Sequence, residues 1–252
     1  MPLTIVLTAG GTREPIDDVR YVSNVASGAL PAAMANALLA LGHRVHYLHG
    51  PGALLPGHAT LDLDLTALPP DALHAQTAAW LAQAAAQQAA LAHGQLTLHP
   101  VQTAAEVAKT LRELCQTLQP DAVACAMAVA DFAPVAASGK VSSRRASLTL
   151  EMAATAKAID GVKPVAPRTR LLGFKLLSGA SEPELVEAAQ RQVARAGSDL
   201  VFCNDMLDLR QGLRRGLLIA ADGTVRARLE GGRGQSGLHA LAQAIVAAWL
   251  PV

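Results

Sequence analysis

The chain has 252 residues, 51% hydrophobic and 16% charged, which excludes a disordered chain and leaves ample material for a core. A formal net charge of +1 and 3% aromatics exclude a basic field for nucleic acid or an anionic membrane, and also the stacking platforms of single-strand binders. Cys115, Cys125 and Cys203 contain no CxxC pair and close no disulfide framework, which points to a reduced, cytoplasmic compartment. The opening MPLTIVLTAGG lacks the basic flank and long apolar run of a signal peptide. No uncharged apolar run of about 18 residues occurs, so no spanning helix is expected.

Leu3–Ala9 is a β-branched run ending at Gly10-Gly11, the pattern of a buried parallel strand. A polar loop follows, then an alanine-rich helix over Pro31–Leu41 stopped by Gly42, then a strand over Arg44–Leu48. Asp71 is the expected cap of a helix over Ala72–Ala92. Leu96–Leu98 reads as a strand and Ala104–Leu118 as an amphipathic helix stopped by Pro120. Asp121–Ala130 reads as a second buried strand, and residues 134–170 then lose periodicity, apart from a short strand at Leu148–Leu150. Strands over Leu171–Lys175 and Asp199–Cys203 flank a helix over Glu182–Ala196, with Ser181 as cap and Gly197 as stop. A hairpin over Gly216–Leu229 turns at Asp222-Gly223, and a helix over Gly237–Trp249 closes the chain. The pattern predicts one α/β domain over 1–252: a doubly wound, mostly parallel Rossmann-like sheet with an irregular loop and strand excursion near 134–170 and a C-terminal hairpin.

In such sheets ligands bind beyond the carboxyl ends of the strands. Four predicted strands end in Gly10-Gly11-Thr12-Arg13, Ala130-Asp131-Phe132, Gly173-Phe174-Lys175 and Cys203-Asn204-Asp205, and these polar tails should share one rim. Taken singly, Asp131 reads equally well as a helix cap, Asn204 as a turn residue and Lys175 as a solvated charge. Gly10 and Gly11 let backbone approach a ligand, and the segment from Asn24 to Gly28 leads into a helix start whose N–H groups suit phosphate. Neither GxGxxG nor GxxxxGK[ST] is present. Lys140 and the run Ser142-Ser143-Arg144-Arg145 form a basic, hydroxyl-rich loop suited to polyphosphate, or equally a solvated surface loop. His43, His46 and His49 are spaced by three, which on a strand sends His46 to the opposite face and puts the outer two about 20 Å apart. The other histidines are scattered, so no structural metal is expected.

TAGGTREPIDDVRYVSN with Ser27-Gly28, AVADF at 128–132, GK at 139–140 followed by VSS, GFKLL at 173–177 and CND at 203–205 together resemble the phosphopantothenate–cysteine ligase (phosphopantothenoylcysteine synthetase) family. The match runs in order along nearly the whole chain and looks like the stand-alone bacterial type, without a flavin-dependent decarboxylase half. The resemblance implies a ligase of coenzyme A biosynthesis. In that reaction 4′-phosphopantothenate attacks the α-phosphate of a nucleoside triphosphate, CTP in preference to ATP, supplied with Mg²⁺. The amine of cysteine then takes the acyl group from the acyl-nucleotide.

By motif position the resemblance implies that Asn24 and Lys140 are catalytic, Asn24 on the acyl group and Lys140 on the triphosphate. Arg20, Asn24, Met127, Ala128 and Asp131 are implied in substrate binding. Gly10, Gly11, Ser27, Gly28, Asp131, Lys140, Phe174 and Asn204 are implied in nucleotide binding. Arg20 is implied to reach a neighbouring subunit's substrate, hence a homodimer, with the 134–170 excursion and the hairpin as its contacts. The chain departs from the family at Ala26, Ala29 and Pro31, and Arg191 and Arg195 are the basic helix positions available as substitutes for the family's own. Two other readings stay open at this level: a nucleotide- or flavin-binding oxidoreductase of the same fold, and a non-catalytic nucleotide-binding relative.

Overall fold

The computed structural model describes residues 1–57, 69–135, 139–142 and 147–250. In chain order the elements are β1 (Thr4–Ala9), β2 (Arg13–Asp17), β3 (Arg20–Ser23), α1 (Ala29–Ala40), β4 (Arg44–His49), α2 (Pro70–Ala92), β5 (Leu96–Pro100), α3 (Ala104–Leu118) and β6 (Ala122–Cys125). There follow β7 (Phe132–Pro134), β8 (Met152–Ala154), a 3₁₀ turn (Ala158–Gly161), α4 (Val162–Val165), β9 (Arg170–Leu177) and α5 (Glu182–Ala196). β10 (Leu200–Asp205), α6 (Met206–Arg210), β11 (Leu213–Ala220), β12 (Val225–Arg233) and α7 (Gly234–Trp249) complete the chain.

One eight-stranded sheet runs β12-β11-β10-β9-β6-β1-β4-β5, parallel from β10 to β5, with β11 and β12 antiparallel at one edge. The chain leaves β1 outward through β4 and β5, then returns to β6 on the other side of β1. The switch point of this doubly wound α/β sheet therefore lies between β1 and β6, where such sheets bind ligands. Alternation along β1 divides the core: Ile5, Leu7 and Ala9 pack with α1 and α7, while Val6 packs with α3 and α4. The outer strands have their own cluster under α5, where Leu185 and Ala189 cover Val201, Cys203 and Ile219. Ser181 starts α5 and Glu184 reaches back to accept from its N–H at 2.7 Å, while Gly197 ends it in the left-handed region.

Several boundaries differ from the sequence reading, each for a local reason. The expected strand over Asp121–Ala130 stops at Cys125, because side chains replace the ladder beyond it. The Thr8 hydroxyl accepts from Met127 N at 3.0 Å, and the Thr12 hydroxyl accepts from Ala130 N at 3.1 Å. Leu148–Leu150 is exposed and is no strand; the strand of that stretch is β8, paired with β7. The polar loop after β1 contains the β2–β3 hairpin, which apolar alternation does not reveal because residues outside it hold it. Glu14 Oε1 accepts from Ala104 N at 2.8 Å and Asp17 accepts from Val141 N at 3.0 Å, while within the hairpin Arg13 lies over the Tyr21 ring at 4.6 Å. Pro69, not Asp71, is the cap residue of α2, and α1 begins at Ala29, two residues before Pro31. The triplet Ser143, Arg144 and Arg145 lies outside the described residues, as does His58.

His99, scattered in the sequence, lies beside His46 because β5 pairs with β4. His46 Nδ1 and His99 Nε2 are 3.1 Å apart and the rings stack at 5.4 Å between centroids. One nitrogen donates and the other accepts, so the contact requires at least one neutral ring. Burial, and then the neighbouring His99, holds His46 below the ordinary imidazole range. Burial, and then His49, does the same for His99. A histidine lowered in the folded state binds its proton more readily unfolded, so its stabilising contribution is present above about pH 6.5 and is lost as pH falls below it. Thermal unfolding should therefore show a lower midpoint at pH 5.5 than at pH 7.5. His99→Gln should flatten that dependence, and an unchanged slope would show that the pair does not carry it.

Candidate active site

β1 delivers the chain to the switch point and Gly10 turns it there. Gly10 has φ +79°, and a Cβ on it would lie 2.5 Å from the Ala53 methyl. Gly28 caps α1 with φ +73°, and a Cβ there would meet Gly10 N at 3.0 Å. A Cβ on Gly11 would meet the Asn24 carbonyl oxygen at 2.8 Å. Backbone segments thus touch directly, and larger residues would force them apart. Ser27 Oγ accepts from Ala29 N at 3.3 Å and its carbonyl accepts from Leu54 N at 2.8 Å, so it closes the start of α1.

Segment 127–131 crosses the end of β6 against this glycine floor. Ala128 N donates to Gly10 O at 2.8 Å, and Gly11 forms a bridge with Ala128. The Asn24 side-chain amide donates to Ala128 O and Val129 O, each at 3.3 Å. Gly10, Gly11, Asn24, Gly28 and Ala128 are therefore one connected group assembled from the opening motif and a segment about a hundred residues further along the chain. In this arrangement the Asn24 N–H groups face protein carbonyls, and engaging a ligand oxygen requires them to turn from those partners.

Arg20 is held by its own chain. Its Nη1 lies 3.2 Å from Asp17 Oδ2 and its Nη2 donates to Val141 O at 3.2 Å. The Val19 N–H first, then the Val141 N–H and the Arg20 guanidinium, outweigh burial and hold the Asp17 carboxyl below its ordinary range. Asp18 N also donates to Gly139 O at 3.4 Å. These contacts tether the backbone on both sides of Lys140 to the β2–β3 hairpin, while Lys140 itself is exposed.

On the α3 and α5 side of the rim lies a cleft of about 140 Å³ at the ends of β1, β6 and β9. Met127, Asp131 and Phe174 line it, so three of the site residues that the family resemblance implies meet there. Lys157, Lys175, Gln192 and Arg195 also line it. Arg195 Nε donates to Asp160 Oδ1 at 2.9 Å, whereas Arg191 pairs with Glu187 on the same helix and is no part of the lining. Asn204, at the end of β10, is outside this lining as well. Cys125 faces the cleft, but burial first, with Cys115 and Asp160, pushes its thiol far above the usual range, which disfavours the thiolate. A larger cavity of about 530 Å³ between α1, α2 and α7 has alanine and amide walls without Lys, Arg, Asp or Glu among its described lining residues. His239 is the one titratable side chain among those lining residues, and no lysine or arginine there is placed for phosphate chemistry.

Sequence reasoning missed Thr8, Thr12 and Lys157. Thr8 and Thr12 lie inside the opening motif, and Thr12 in a polar tail expected at the rim, but the bonds of their hydroxyls to segment 127–130 carry no signal in the sequence. Lys157 lies in the stretch without periodicity, which carries no signal of what it faces.

Residues 2–65 and 66–226 match the model of the DNA/pantothenate metabolism flavoprotein C-terminal domain. The chain belongs to this family. Among curated relatives, the coenzyme A biosynthesis bifunctional protein CoaBC of Thermococcus kodakarensis is 32% identical over 203 residues, 80% of this chain and 41% of that protein. CoaBC of Bacillus subtilis is 27% identical over 206 residues, 80% of this chain and 40% of that protein. The chain thus spans about two-fifths of the length of these relatives. The crystal structure of the DNA/pantothenate metabolism flavoprotein from Streptococcus pneumoniae superposes with a TM-score of 0.71 at 21% identity, covering 98% of this chain and 100% of that one. A Cab2 mutant in complex with phosphopantothenate-cysteine gives 0.73 at 19% identity, covering 96% and 83%. At these identities the two structures establish the family's α/β fold for this chain.

Proposed function

We propose that the chain is a phosphopantothenate–cysteine ligase acting in coenzyme A biosynthesis. The observation that carries the reading is the assembly of Gly10, Gly11, Asn24, Gly28 and Ala128 at the switch point of a family sheet, beside a cleft that holds Asp131, Phe174 and cationic side chains. The names of the relatives and structural neighbours, with coenzyme A biosynthesis in one set and phosphopantothenate-cysteine in the other, point the same way.

In this reading 4′-phosphopantothenate and a magnesium nucleoside triphosphate, CTP in preference to ATP, bind across the rim. The pantothenate carboxylate attacks the α-phosphorus, its P–O bond to the bridging oxygen breaks, and pyrophosphate leaves. The cysteine amine then attacks the acyl carbon and the nucleoside monophosphate leaves with the electron pair of the acyl–oxygen bond. The work of the protein is positioning and charge neutralisation rather than covalent catalysis. Asn24 donates to the acyl oxygen as charge grows on it, and Lys140 neutralises the triphosphate from its tethered loop. Gly10, Gly11, Ser27 and Gly28 bring N–H groups to phosphate, with Phe174 and Asn204 as further nucleotide contacts, while Met127, Ala128 and Asp131 line the substrate side. Pro31 removes one N–H donor from the first turn of α1, and that of Ala29 already donates to Ser27 Oγ at 3.3 Å, which leaves the N–H of Leu30 at that terminus.

A homodimer, one domain per chain and a cytoplasmic setting belong to the same proposal. The dimer is supported by apolar residues displayed on the two small hairpins and beside them: Val25 is 98% exposed, Val135 65% and Phe132 56%. Among the described residues no helix is long and apolar enough to cross a membrane.

Pyrophosphate release tests the reading. With 4′-phosphopantothenate and CTP, pyrophosphate should appear without cysteine, to about one equivalent per site, and should turn over continuously once cysteine is added. Release that is independent of 4′-phosphopantothenate would reject it.

A further inference from the structure

The cleft at the ends of β1, β6 and β9 has an excess of positive charge. Lys157, Lys175 and Arg195 line it against a single lining carboxylate, Asp131. Arg195 is already held by Asp160 at 2.9 Å. Lys157 forms an ion pair with Asp131.

The backbone that carries Lys157 is fixed on both sides of the cleft. Thr155 N donates to Asp131 O at 3.0 Å, and Asp160, three residues past Lys157, receives Arg195 from α5. A strap from residue 155 to residue 160 therefore joins segment 130–131 to α5 and sets where the Lys157 ammonium can reach. The pair it makes is open to solvent, with 38% of the Lys157 side chain and 68% of the Asp131 side chain accessible. An ion pair that exposed adds little to stability and exchanges partners at small cost. An ammonium on a fixed strap, in a cleft rich in cations and held by an exchangeable carboxylate, is placed to receive an anion.

We propose that Lys157 is a further ligand-binding residue, whose ammonium moves from Asp131 onto an anionic group, phosphate or carboxylate, of a substrate in this cleft. Asp131 keeps the side chain poised over the cleft until the anion arrives. The inference rests on the ligase reading for the identity of the natural ligand, but the anion chemistry stands on the cleft itself.

Two measurements test it. The first is acetylation of the lysines of the wild-type protein, followed by mass spectrometry, with CTP, with 4′-phosphopantothenate and with inorganic pyrophosphate in turn. Lys109, exposed on α3 away from the cleft lining, is the internal reference. At least one of the three anions should protect Lys157 relative to Lys109, and the arm that protects identifies the source of the anionic group.

The second measurement is calorimetric binding of the same anions to Lys157→Gln and Lys157→Arg. Loss of one charge-assisted contact should weaken the protecting ligand by about tenfold or more in Lys157→Gln. Lys157→Arg should recover most of that loss, and both variants should unfold within about 2 °C of wild type, as an exposed pair implies. A purely structural pair would instead lower the unfolding midpoint and leave affinity unchanged. Absence of protection in all three arms, or unchanged affinity in Lys157→Gln, overturns the inference. Normal ligation with an unprotected Lys157 rejects the inference and keeps the ligase reading. Protection by pyrophosphate without any ligation does the reverse.

Discussion

Asn24→Ala should fold normally and lose about 10²–10³ in ligation rate. The two outcomes separate because the side chain has different value in the two settings. It is exposed, and its hydrogen bonds to Ala128 O and Val129 O are long, at 3.3 Å each. Losing them costs stability about 0.5–1.5 kcal/mol at most, since water reaches the freed carbonyls. In the reaction the same amide faces an oxygen that gains negative charge, where a positioned donor counts for more. The structure adds a condition: the amide is already engaged, so substrate must draw it away from two carbonyls. Asn24→Ala should therefore depress the cysteine step and acyl-nucleotide formation far more than nucleotide binding. Single-turnover kinetics of each half-reaction, alongside thermal unfolding, check this. Wild-type turnover in a folded variant would remove Asn24 from the chemistry. A collapse of the unfolding midpoint would make its role the anchoring of segment 127–131.

The parts of this fold that the sequence makes legible are those whose signal is local. β1 is a β-branched run ended by a glycine pair, α5 carries its own cap and stop, and the β11–β12 hairpin turns at Asp222-Gly223. The parts that stay hidden depend on partners distant in the chain. The β2–β3 hairpin is fixed by Val141, more than a hundred residues away, and β6 is cut short by hydroxyls on Thr8 and Thr12. His46 meets His99 only because β5 lies next to β4. The site follows the same rule. The glycines and Asn24 stand in a contiguous motif, whereas Lys157 and Gln192 reach the cleft from an aperiodic segment and from the middle of a helix. Arg191 and Arg195 share a helical face in the sequence, and only the neighbouring Glu187 and Asp160 separate their roles.

Gly50→Ala should cost about 1–3 kcal/mol of stability and most of the ligation activity together, the opposite of the Asn24 pattern. Gly50 follows the last residue of β4, where its N–H donates to Ala9 O at 3.0 Å and anchors the end of β4 to the end of β1. A Cβ at this position would lie 2.1 Å from the Gly11 carbonyl oxygen and 3.0 Å from its carbon. Backbone, not a flexible side chain, stands in the way, so relief requires Gly11 to shift. Gly11 is bridged to Ala128 and packed on the Asn24 carbonyl, so its shift carries both with it. Displacements of this size at positioned groups reduce rate steeply even when the fold survives. Gly42→Ala is the matched control. It sits at φ +81° with nothing within 4 Å of an added Cβ, so the alanine meets only backbone strain, about 1–2 kcal/mol, far from the rim. Both variants should therefore lower the unfolding midpoint by a few degrees, but only Gly50→Ala should lose ligation at a temperature where both remain folded. Equal activity in the two would mean that the glycine floor tolerates the shift, and that close backbone approach at Gly11 is dispensable for the reaction.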